Sequence, residues 1–126
     1  MKTLTLALFF LALPALATDP DCPLRFPKAG LCGALEFASA PTAQAPVKFS
    51  LSFWNESDTR GTLVAVQPLH LIFEMTCCRT PTVAKFTRGA DGVYRGQVVL
   101  EPKNYWAHVQ VGGKGGERAT VDVSVK

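Results

Sequence analysis

The segment "VKFSLSFW" at residues 47–54 sets Val47, Phe49, Leu51 and Phe53 on one side of the chain and Lys48, Ser50 and Ser52 on the other. Apolar residues at every second position belong on a strand with one face buried, because successive side chains on an extended backbone point to opposite faces. The pattern returns in "LIFEM" (71–75), "VYRGQVVL" (93–100), "YWAHVQV" (105–111) and "ATVDVSV" (119–125). Weaker versions occur in "CGALEF" (32–37), "GTLVAV" (61–66) and "VAKFT" (83–87). Between them lie "NESDTRG", "QP", "RGADG", "EPKN" and "GGKGGE", rich in residues that tolerate turn geometry. No apolar stripe with helical spacing runs for a useful length. Short strands punctuated by turns predict an all-β sandwich or barrel.

The first residues differ in character. Lys2 precedes an apolar run from Leu4 to Leu16, and Ala15-Leu16-Ala17 supplies small residues around a cleavage point. This is the layout of a secretory signal peptide over residues 1–17. The run is shorter than the roughly 20 residues of a membrane-spanning helix. The expected product is therefore an exported chain, periplasmic or secreted, without a membrane span after cleavage. Residues 18–31 contain Pro20, Pro23 and Pro27 and read as an irregular leader. Residues 32–126 then form one domain of ordinary small size.

Charge narrows the function classes. The chain carries 13 Lys and Arg against 10 Asp and Glu, a net charge of +3, and the positive residues are scattered. A nucleic-acid or anionic-membrane surface needs them clustered. No glycine-rich loop joins a strand to a helix, so a phosphate cradle is not expected. Neither histidine lies near a cysteine in sequence, and no catalytic dyad or triad can be read. The chain is expected not to be an enzyme.

The second half resembles a known family. Gly92-Val93-Tyr94 resembles the Gly-x-Tyr that opens a strand in YtkA-like domains, Glu101-Pro102-Lys103-Asn104 takes the place of the following turn, and Tyr105 with Val109 takes the aromatic strand. Upstream, "CGALEFASAPTAQAPVKFSLSFWN" resembles the first two strands of such domains. The resemblance covers roughly residues 32–111 and implies an exported, immunoglobulin-like antiparallel β-sandwich of about seven or eight strands. It also implies a soft-metal loop of Met and His after the strand that here ends in Met75. This chain departs from that pattern. After Met75 it reads Thr76-Cys77-Cys78-Arg79-Thr80-Pro81, with no histidine.

That loop is the candidate site. Thiolate and thioether sulfur favour Cu(I) over hard ions. On an extended backbone Met75 and Cys77 would point the same way. A Cu(I) site of Met75, Cys77 and Cys78, completed by His108, is the leading expectation. His70 is a poorer candidate, since alternation points it away from Met75. Trp106 and His108 are expected to face outward, Tyr105 into the core. The competing expectation is a structural or protein-interaction module, its partner unknown, whose cysteines only staple loops. All four cysteines follow the cleavage point, and an oxidising compartment favours disulfides. Cys22 and Cys32 flank the leader and are the expected pair. Cys77 and Cys78 are left open between a disulfide, a metal site and free thiols.

Overall fold

The computed structural model describes residues 21–43, 45–113 and 115–126. The signal peptide expected at 1–17 and the first leader residues, 18–20, lie outside the described residues.

The strands are β1 (Leu24–Phe26), β2 (Leu31–Phe37), β3 (Val47–Asn55), β4 (Leu69–Met75), β5 (Pro81–Val83), β6 (Lys85–Arg88), β7 (Tyr94–Val98), β8 (Asn104–Val111) and β9 (Glu117–Ser124). They form an antiparallel sandwich. One sheet has five strands in the order β1-β2-β3-β7-β6, the other four in the order β5-β4-β8-β9. The alternation seen in the sequence becomes the inner faces of the two sheets. Val47, Phe49, Leu51 and Phe53 line one, and Leu71, Phe73, Met75, Tyr105, Ala107, Val109 and Val111 line the other.

Aromatic rings join the sheets across the core. Phe73 of β4 meets Phe49 of β3 at 6.4 Å and Phe37 of β2 at 6.5 Å across the sheets, and Tyr105 of β8 at 6.5 Å within its own sheet, between ring centroids. Within the five-stranded sheet, Phe53 of β3 contacts Phe26 of β1 and Tyr94 of β7. Tilted and edge-on pairs at such distances add about 0.5–1.5 kcal/mol each beyond area burial. The Tyr94 hydroxyl spends its polar capacity on the long connection between β3 and β4. It accepts from the Val66 N–H at 2.9 Å and donates to the Val66 carbonyl at 3.2 Å. Gly96 has no room for a side chain, because a Cβ would collide with the Lys85 carbonyl oxygen and approach Phe49 to 2.8 Å.

Three segments depart from the sequence reading. The leader is not wholly irregular: Leu24–Phe26 pairs with Leu31–Gly33, and Phe26 is fully buried. Prolines on either side of this short strand mask it in the sequence. Residues 61–66 form only an isolated bridge, Trp54 to Leu63, not a strand. Residues 83–87 do not form one strand but the end of β5 and most of β6, which belong to different sheets. The chain crosses between sheets at Ala84, buried and bonded through its N–H to the Leu71 carbonyl at 2.9 Å.

Candidate functional site

The cysteine-bearing turn hangs from the end of β4. Met75 closes the strand, and Thr76 to Thr80 are exposed. The Met75 N–H donates to the Thr80 carbonyl at 3.2 Å, and the Arg79 N–H donates to the Met75 carbonyl at 2.9 Å. The turn closes through Arg79, whose φ of 55° lies in the left-handed region. A residue with a Cβ pays roughly 1–2 kcal/mol there, so side-chain contacts must help to hold it. They are on the outer face of the four-stranded sheet. Arg79 places its guanidinium 5.5 Å from the centre of the Trp106 ring and its Nε 3.7 Å from Glu74 Oε2.

Cross-strand register assembles the rest of that face. Glu74 lies opposite Trp106, Ile72 opposite His108, and His108 opposite Thr120. His108 Nε2 lies 2.9 Å from Glu74 Oε1, and its Nδ1 lies 2.9 Å from the Thr120 hydroxyl. An ionised carboxylate can only accept, so Nε2–H donates to Glu74; in neutral His108 the Thr120 hydroxyl then donates to Nδ1. The Glu74 carboxyl is held below its ordinary value chiefly by the hydrogen bond from His108; burial opposes this, and the Arg79 charge is a lesser contribution in the lowering direction. Thr120, His108, Glu74 and Arg79 thus form a continuous polar chain leading to the turn.

The expected ligands do not converge. Cys77 and Cys78 are bonded to each other. Met75 is 8% exposed and belongs to the core face with Phe73 and Leu71. Met75 and Cys77 do not share a face, because the strand ends at Met75 and alternation does not carry into the turn. His108 faces outward as alternation requires, yet it is only 8% exposed, and both ring nitrogens are engaged. Its neighbours on β4, β8 and β9 cover it. His70 is exposed on the same outer face, opposite Gln110, and away from Met75. Among the described residues, no group of three or more His, Cys, Asp or Glu side chains is arranged to hold a metal ion. Cys22 and Cys32, the other expected pair, are joined and almost fully buried.

The residues the sequence did not single out are Glu74 and Thr120. Both reach His108 only through strand register, which one sequence does not carry. Arg79 is visible beside the cysteines, but its role is with Trp106 and Glu74. Comparison of the chain with family models, with curated proteins and with solved structures finds no match in any of the three.

Proposed function

We propose that this is an exported, non-enzymatic interaction module of YtkA-like type, whose cysteines staple the fold and whose working surface is the outer face of β5-β4-β8-β9 beside the Cys77–Cys78 turn. The observation that carries this reading is the bonding of both cysteine pairs, which leaves no thiolate for a metal or a nucleophile. The face itself has the mixture that protein recognition uses, a half-buried Trp106, an exposed Val83 and the strongly exposed charge of Arg79. Tryptophan and arginine are over-represented among residues that dominate binding energy. The polar chain beneath them keeps Glu74 and Arg79 in fixed positions.

A second reading, a Cu(I) site, applies to the reduced protein only. The observation in its favour is that Cys77 and Cys78 are exposed, open to a reductant, in the turn that follows Met75. Copper titration separates the two readings. The interaction module predicts no Cu(I) bound above background even after mild reduction, and zero reactive thiols after denaturation without reductant. One Cu(I) bound by the mildly reduced protein, and lost in a Cys77→Ser, Cys78→Ser variant, would replace the first reading by the second.

A further inference from the structure

A sandwich of two open sheets has four edges, and edges invite pairing with another chain unless they are blunted by short length, proline or charge. Three of the four edges here are blunted by shortness. β1 has three residues with Arg25 at its centre. β5 has three and begins with Pro81. β6 has four, with Lys85 and Arg88 at its ends. The fourth, β9, is eight residues long, contains no proline, and pairs on one side only, with β8. Among the described residues, no backbone hydrogen bond reaches 117–124 from the far side. The Glu117 carboxylate accepts from the Lys28 and Ala29 N–H groups, at the very end of the strand.

The side chains along this edge are self-complementary. Arg118, Thr120 and Asp122 are exposed on the outer face, and Ala119 and Val121 point half-buried to the inner one. Among the described residues, the Arg118 side chain is hydrogen-bonded only to the neutral Gln110, with its Nη2 2.7 Å from Oε1. Asp122 has no ion-pair partner among the described residues. Two β9 strands laid antiparallel about a two-fold axis at Thr120 place Arg118 of each copy opposite Asp122 of the other. They also set Ala119 against Val121. Moving the axis to residue 119 or 121 puts Arg118 opposite Thr120 or Ser124 and loses both charge pairs. Displacements that pair odd with even positions would set inner-face residues against outer-face ones.

We propose that β9 is a homodimerisation edge, joining two copies of this chain through an isologous β9–β9 pairing into one continuous eight-stranded sheet. The partner is a second copy because both the length of the free edge and its charge order are satisfied by itself. The proposal is independent of what the cysteines do. Opposite charges directly across an antiparallel pair stabilise it and like charges destabilise it.

Sedimentation velocity across the micromolar range tests the proposal. The wild-type chain is expected to show a concentration-dependent monomer–dimer equilibrium. Arg118→Asp alone, or Asp122→Arg alone, places like charges across the axis twice, and each is expected to weaken the dimer by about tenfold or more. The double variant Arg118→Asp, Asp122→Arg restores both pairs and is expected to recover the dimer. Circular dichroism confirms that each variant keeps the sandwich, since both positions are exposed. A wild-type chain that stays monomeric, a dimer indifferent to the single swaps, or a double variant that does not recover it would overturn the proposal.

Discussion

The two disulfides use the same bond for different ends. Cys22–Cys32 is buried and ties the short leader strand β1 to β2, across ten positions of sequence. Cys77–Cys78 joins neighbours in an exposed turn and closes no stretch of chain between them. A cross-link stabilises mainly by limiting the unfolded chain, and the gain grows with the loop it closes. The first bond therefore belongs to stability. The second adds almost nothing to it, and its chemistry matters through the surface on which it sits.

Removing each bond is the bluntest way to break that contrast. Cys22→Ser with Cys32→Ser is expected to cost about 2–4 kcal/mol. Cys77→Ser with Cys78→Ser is expected to change stability by no more than about 0.5 kcal/mol. Urea unfolding of both double variants measures the difference. Similar losses in the two would erase the distinction.

Much of the architecture follows from alternation. β3, β4, β8 and β9 each have a regular inner set of apolar residues, because each lies against a single core. Alternation fails where a segment is too short to express a period or changes sheets partway. Leu24–Phe26 is an example of the first and 83–87 of the second. It also fails at a strand end, so Met75 faces the core while Cys77 lies in the exposed turn. The polar chain of Thr120, His108, Glu74 and Arg79 spans three strands and a turn, and no spacing along one chain reveals it. Cys22 with Cys32 was legible because the two flank the leader that they pin.

Selective reduction sharpens the comparison further. Exposed disulfides are the more labile ones, and buried structural bonds resist. A mild, limiting reductant followed by alkylation is expected to label Cys77 and Cys78 first, with the native circular dichroism spectrum retained. Labelling of Cys22 or Cys32 at the same or an earlier stage would contradict the assignment.

The smallest effect concerns acid. Glu74, beside the exposed turn, and Asp91, in the turn between β6 and β7, both have lowered folded-state pKa values. Asp91 falls from 3.8 to about 2, chiefly through the side chain of Arg95 and next through the Val93 N–H. A carboxyl with a depressed folded value contributes stability that is complete above its unfolded pKa and is lost as pH falls through the folded one. For Asp91 the loss therefore runs from about pH 4 down to about pH 2. Glu74→Gln and Asp91→Asn should each make the acid limb of a thermal-melting profile shallower. Only Glu74→Gln should also alter the turn, through the lost partner of His108 and Arg79, and Trp106 fluorescence reports it. An identical fluorescence response from both variants would show that the polar chain does not govern the turn.

The most direct measurement is a disulfide map of the protein as isolated, alkylated before any reduction and analysed by mass spectrometry. A Cys22–Cys32 cross-linked peptide is expected, together with a peptide carrying Cys77 and Cys78 that is unalkylated and lighter by two hydrogens than its reduced form. A cross-link from Cys77 or Cys78 to the leader, or alkylation of the adjacent pair, would contradict this pairing.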